Sequence, residues 1–308
     1  MSSFMARLAY FACLLLPLVF ATAPRAAERF DETPRIAVMS AFAPELALLS
    51  GRLAGPREYE ANGVRFTTGS LEGKPVVLLL SGISMVNAAM NTQLVFDRFN
   101  VSHLMFSGIA GGVDPDLRIG DVSVPERWGQ YLELVMMREL APGQFRAPQS
   151  KGGFEFAPYG MMQPRAVRVR RPGQTEFQEK FWFEADPRML EVARRIGAVP
   201  LRTCDAQDQC LSRRPRLQVG GSGVSGAAFM DNADFRQYVF RTFHAKVLDM
   251  ESAACAMVAY SNGVPFLAFR SLSDLAGGGP GENEMHAFMG LAADNAAHVL
   301  LAFLRAWP

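Results

Sequence analysis

Glu251 stands at the head of an alanine- and methionine-rich stretch that carries no further charge as far as Tyr260. Arg270 and Asp274 stand just past Pro265 to Phe269, an otherwise apolar run. Charges in such places are expensive to bury unless they are paired or used. Carboxylates used there would hold, donate or accept protons and support developing charge. The competing account is structural: a carboxylate at a helix N-terminus and an Arg270–Asp274 pair. The pattern alone divides evenly between the two.

The elements around these residues alternate between strand and helix. Arg35 to Met39 reads as a short strand, and Pro44 opens a helix from Glu45 to Leu53. Val64 to Thr68 and Val76 to Leu80 are extended. The second has no polar alternation, as in a strand covered on both faces. A helix follows from Met85 to Phe99, then a strand from His103 to Ser107 that ends in a glycine-rich turn, Ser107 to Gly112. Asp121 to Pro125 is extended. Trp128 to Gln178 has no sustained period and suggests edge strands and surface loops.

Asp186-Pro187 caps and opens a helix to Ile196. Leu217 to Val219 leads into a second glycine-rich turn, Gly220 to Gly223. A buried helix follows Glu251 and is stopped by Asn262-Gly263. Pro265 to Arg270 forms a core strand, and Met285 to Phe303 closes the chain as a helix. This rhythm describes an α/β fold: one domain with a central mixed sheet flanked by helices. Sites in open α/β sheets gather where strands end and helices begin, which is where Glu251, Arg270 and Asp274 fall.

Several functional classes are excluded. Lys and Arg total 31 against 30 Asp and Glu, a net charge of +1, and no basic footprint for nucleic acid is evident. Neither glycine-rich turn is a P-loop or a dinucleotide fingerprint, so no nucleotide cofactor is expected. The four histidines are not spaced as a zinc site. His103, His244 and His298 lie in core-like stretches, whereas His286 follows the glycine-rich loop 276–281 and could face a pocket. No nucleophile elbow supports a Ser-His-Asp hydrolase.

The chain begins as an exported protein would. Arg7 precedes an apolar run from Leu8 to Phe20, about 13 residues and short of a bilayer span. Ala21-Thr22-Ala23 supplies small residues for cleavage. Residues 1–26 are therefore expected to be a signal peptide and 27–308 the working domain, outside the cytoplasm, periplasmic or secreted, with no stable membrane insertion after cleavage. A retained anchor is the alternative. Cys204 and Cys210 bracket a short polar loop that a disulfide can close; free thiols and, more weakly, a metal pair are the other readings. Cys255 reads as a buried free thiol.

From Arg35 to Phe303 the sequence resembles the nucleoside phosphorylase and methylthioadenosine/S-adenosylhomocysteine nucleosidase superfamily. The pieces are Ile36 to Glu45, Ser81 to Ser84, Ser107 to Gly112, Ile119 to Val122, Met250 to Ala254 and Pro265 to Asp274, in that order. Gly108 to Gly111 and Asp121 to Trp128 look closest to plant bark and vegetative storage proteins and their exported bacterial relatives. The resemblance implies a nucleoside phosphorylase-like fold, a purine nucleoside as substrate, and a homo-oligomer, most simply a dimer. A neighbouring subunit would help close the 5′ side of the pocket.

The resemblance also implies roles. Asp274 matches the aspartate at purine N7, and Glu251 the glutamate that holds ribose hydroxyls, with Met250 against the sugar. Phe229 matches a base-stacking aromatic, and the Met230 backbone lines the base's polar edge. Glu45 matches the glutamate that activates water. Arg270 and Ser273 would support the water or anion region and orient Asp274. Gly111 belongs to the glycine-rich segment. Ile109 stands where these nucleosidases typically carry serine, and Met285 falls where an aromatic often covers the sugar. Hydrolysis of methylthioadenosine, S-adenosylhomocysteine, adenosine or a close relative, without cofactor, is the expectation. A phosphate-dependent phosphorylase and a non-catalytic purine-binding or storage protein are the alternatives.

Overall fold

The computed structural model describes residues 28–148, 153–197, 199–205 and 207–308. The expected signal peptide lies outside them. Among the described residues there are six helices: α1 (Ala43–Arg52), α2 (Met85–Arg98), α3 (Pro187–Arg195), α4 (Ala233–Phe243), α5 (Ser252–Asn262) and α6 (Met285–Ala306). They surround a 12-stranded mixed sheet. At its centre the strand Asp31–Ser40 lies parallel to both Lys74–Leu80 and Phe99–Gly112. Phe266–Asp274 pairs in parallel with Phe99–Gly112, while Ala245–Asp249 meets the end of that strand antiparallel.

Burial explains the sequence pattern of the centre. Every residue of Phe266–Asp274 is buried: the apolar run explains Phe266 to Phe269, while Arg270, Ser271, Ser273 and Asp274 are polar groups buried beyond it. One face of the sheet carries α1, α3 and α6 over a core of Leu49, Leu190, Phe269 and Phe303. The other carries α2 and α5 over Leu94, Phe106, Ala253 and Ala256. α6 is apolar enough, by length and composition, to cross a membrane, yet it packs on Phe266–Asp274 as a core helix. The Asp186 side chain accepts from the amides of Arg188 and Met189, as the cap reading required. The described residues between Arg127 and Glu184 form short strands and loops within the same domain.

Three local readings are corrected. Ser107 to Gly112 is not a turn: the strand Phe99–Gly112 runs straight through it. Gly108 is needed there for close approach, since a Cβ would overlap the Glu45 carboxylate and the Arg270 guanidinium. Likewise the last strand does not stop at Arg270 but runs on to Asp274, its final residue. His244 also departs from expectation: it is exposed and ends α4 in the left-handed conformation, with φ 49°.

Cys204 and Cys210 are joined as a disulfide, and Cys255 is a buried free thiol. The adjoining segment is tied to α6, where the Asn295 side chain accepts from the Arg202 amide at 2.7 Å. Burial pushes the Cys255 thiol up to about 12, which keeps it protonated and unreactive at neutral pH.

Candidate active site

α1 starts with Pro44 in its first turn, and Glu45 follows it. The Glu45 side chain turns back to accept from the Ala41 amide at 2.6 Å, much as a capping glutamate does. It also accepts from the Ile109 amide at 2.7 Å, which fastens it to the neighbouring strand. Only 1% of Glu45 is exposed. Burial pushes its carboxyl up to about 7, against the pull of Arg270 and the two amides. Glu45 is thus poised to gain or lose a proton near neutrality.

Glu251 sits at the N-terminus of α5 and accepts from the Ser84 amide at 2.8 Å and from Arg270 Nη2 at 3.2 Å. Burial raises its pKa, Arg270 opposes the rise, and Asp249 adds to it. Asp274 accepts from the Ala276 amide at 2.8 Å and from Ser273 Oγ at 2.9 Å. Burial raises Asp274 as well, opposed by those hydrogen bonds. Gly111 keeps room for this carboxylate: a Cβ there would come within 3.2 Å of Asp274 Oδ1.

These three carboxylates line one cavity of about 330 Å³, together with Met250, Phe229, Met230, Ser273, Ile109 and Gly111. The residues singled out in the sequence therefore converge on one place, with a single exception. Arg270 is fully buried behind the wall and does not line the cavity. Its nearest carboxylates are Asp249 at 2.7 Å, Glu251 at 3.2 Å and Glu45 at 3.7 Å, so the anticipated Arg270–Asp274 pair is not made. The guanidinium also lies over the Phe106 ring at 4.2 Å.

Asp249 is the participant that the sequence reading missed. It ends a strand, lines the cavity and is 5% exposed. Its Oδ1 accepts from Ser225 Oγ and from the Glu251 and Ser252 amides. The available signal was a third charge two residues before Glu251. His286 and Met289, from the first turns of α6, also line the cavity, as do Met285, Phe42 and Ile83. The site therefore offers an apolar chamber with carboxylates at separate points on its wall.

A profile of the phosphorylase superfamily matches residues 35–305. Among curated relatives, a 5′-methylthioadenosine/S-adenosylhomocysteine nucleosidase from Geobacillus kaustophilus is 30% identical over 272 residues, 88% of this chain and 96% of the relative. The enzyme of the same name from Mycobacterium bovis is 27% identical over 273 residues, covering 87% and 96%. Among solved structures, the nucleosidase of S. pneumoniae with a transition-state inhibitor superposes with TM-score 0.66 at 25% identity, covering 89% of this chain and all of the other. A Colwellia psychrerythraea nucleosidase in complex with adenine gives 0.67 at 24% identity, covering 89% and 95%, and supports the fold. The chain belongs to the phosphorylase superfamily and, within it, to the 5′-methylthioadenosine/S-adenosylhomocysteine nucleosidase family.

Proposed function

We propose that this protein hydrolyses the N-glycosidic bond of a purine nucleoside: methylthioadenosine, S-adenosylhomocysteine, adenosine or a close relative. The observation that carries the reading is the convergence of Glu45, Glu251 and Asp274 on one largely apolar cavity. Cleavage of such a bond leaves positive charge on the sugar and negative charge on the departing base. Asp274, with its raised pKa, would give a proton to the base at N7 so that it departs neutral. Glu251, held by Ser84 and Arg270, would accept from the ribose hydroxyls and support the cationic sugar. Glu45 would take the proton of the attacking water.

Phe229 and Met230 are suited to the base, and Met250 to the sugar. Met285, His286 and Met289 stand on α6 at the same cavity, on ground suited to the 5′ substituent. Water is favoured over phosphate because Glu45 would repel a dianion. Arg270, the cation behind the cavity wall, is already engaged by three carboxylates. Chromatography of a nucleoside panel, with and without phosphate, tests the reading. Phosphate-independent release of free purine supports it, and strict phosphate dependence makes the protein a phosphorylase. Intact nucleosides despite purine binding would favour the storage-protein likeness of Gly108 to Gly111 and Asp121 to Trp128.

Two further parts of the reading concern the whole protein. Homodimerisation is supported by Ile83, Val86 and Met90, which are 52%, 78% and 57% exposed at the start of α2; Ile83 also lines the cavity. With a net charge of +1, association would rest on such apolar area. Light scattering is expected to give twice the chain mass, and a persistent monomer would contradict it. Export is supported by the apolar segment Leu8 to Phe20 and the small residues after it. N-terminal sequencing is expected to find a start between Pro24 and Glu28 in the exported fraction, and an intact Met1 chain in the cytosol would contradict it.

A further inference from the structure

The Arg270 guanidinium is shared unequally. Nε lies 2.7 Å from Asp249 Oδ2, Nη2 lies 3.2 Å from Glu251, and Nη1 lies 3.7 Å from Glu45. The cation is thus closest to the carboxylate with no part in the proposed chemistry and farthest from the proposed base. The Asp249 contact is one of charge rather than an aligned hydrogen bond. Arg270 Nε donates to Ser252 Oγ at 3.0 Å, and Asp249 Oδ2 receives no hydrogen bond from any described residue.

We propose that Asp249 is a positioning residue that draws Arg270 away from Glu45 and so keeps Glu45 basic enough to activate water. The inference rests on the hydrolytic reading and adds a tuning element to it. A guanidinium bound squarely to Glu45 would stabilise its carboxylate and make it a poor base. A guanidinium that was absent would leave Glu251 and Glu45 facing each other uncompensated in a buried site. Asp249 sets the cation between these extremes, and the rest of the site fixes Asp249. Asp249 Oδ1 accepts from Ser225 Oγ on the adjoining strand and from the Glu251 and Ser252 amides at the start of α5, which leaves Oδ2 turned to the guanidinium.

The remaining groups bear on the same balance. Arg270 and Glu251 act on Glu45 directly, in opposite directions. Asp249 acts on Glu251 and Arg270. Buried Tyr131, next to the strand Arg127–Gln130, and Cys255 on α5 face the cluster as neutral groups; both are raised by burial and further by Asp249. Asp274 is held apart by Ser273 and Ala276.

The test is the pH dependence of kcat/KM for D249N, with S225A as control. D249N keeps an acceptor for Ser225 and the α5 amides but removes the charge facing Arg270. Its rising limb is expected to move to lower pH by about one unit. At high pH its kcat should fall while KM changes little, because Glu45 has become a weaker base. S225A loses a hydrogen bond to the same carboxylate but keeps the charge, so its limb should stay in place. D249S, whose hydroxyl can still cap α5, should move the limb in the same direction as D249N. A wild-type limb retained in D249N, an equal shift in S225A, or failure of both Asp249 variants to fold would overturn the proposal and leave Asp249 a structural counter-ion. Wild-type protein inactive on every nucleoside would instead remove the hydrolytic reading itself.

Discussion

Replacing Asp274 with alanine is expected to lower kcat for purine release by ~10²-fold or more. Asp274 is 3% exposed, and its carboxyl is held by Ser273 Oγ and the Ala276 amide at the end of the last strand. Burial raises its pKa, which favours the protonated form needed to neutralise a departing base. Activity should therefore fall as pH rises through the folded-state pKa of Asp274. Asp274→Asn keeps the shape and can still contact the base, but it has no acidic proton to give. It should bind a free purine, as measured by calorimetry, while its kcat falls like that of the alanine variant and the descending limb of the pH profile disappears. Near-normal kcat in Asp274→Asn would show that the base departs without this acid.

Replacing Glu45 with glutamine should produce a different loss. The expected fall in kcat is ~10²-fold with little change in KM, because Glu45 acts on water rather than on the nucleoside. In the unsubstituted protein, kcat/KM should rise with pH through a midpoint near 7, where buried Glu45 gives up its proton. Glu45→Gln should abolish that rise. Stability should change in the opposite sense to activity. An unfolded glutamate ionises near 4.5 and the folded one near 7, so the folded state binds the extra proton between those values. Stability from this group is present below about 4.5 and is lost as pH rises through about 7. Glu45→Gln escapes that loss, and its thermal midpoint above pH 7 should equal or exceed the parent's. A lower midpoint together with low activity would mean that Glu45 serves mainly to cap α1.

The sheet and most of its helices were legible because their burial is written plainly. Val76 to Leu80 and Pro265 to Phe269 are apolar without alternation, and Asp186-Pro187 marks a helix start by its own chemistry. The strand Ala54–Ala61 escaped notice because it is mostly exposed and polar, with a proline and a positive-φ glycine at its start. Glycine density between Gly108 and Gly112 suggested a turn. The physical demand was instead for glycine at two strand positions, Gly108 beside Glu45 and Arg270 and Gly111 beside Asp274.

Asp249 was illegible for a related reason. It ends a strand two residues before Glu251, and its Oδ1 serves the Glu251 and Ser252 amides at the start of α5. Only the three-dimensional placement of Arg270 shows that it competes with Glu45 and Glu251 for one cation. Arg270 stood out in the sequence as a charge in an apolar run, but which carboxylates it served depended on the register between the two central strands. That register pairs Arg270 with Gly108, the one residue that leaves room for its guanidinium beside Glu45.

The most direct test of the account is to incubate the purified protein with methylthioadenosine in phosphate-free buffer made with ¹⁸O-labelled water. The expected products are free adenine and methylthioribose carrying a single ¹⁸O at the anomeric carbon, as attack by a Glu45-activated water requires. Intact nucleoside, or cleavage that appears only with added phosphate and yields a sugar 1-phosphate, would contradict it.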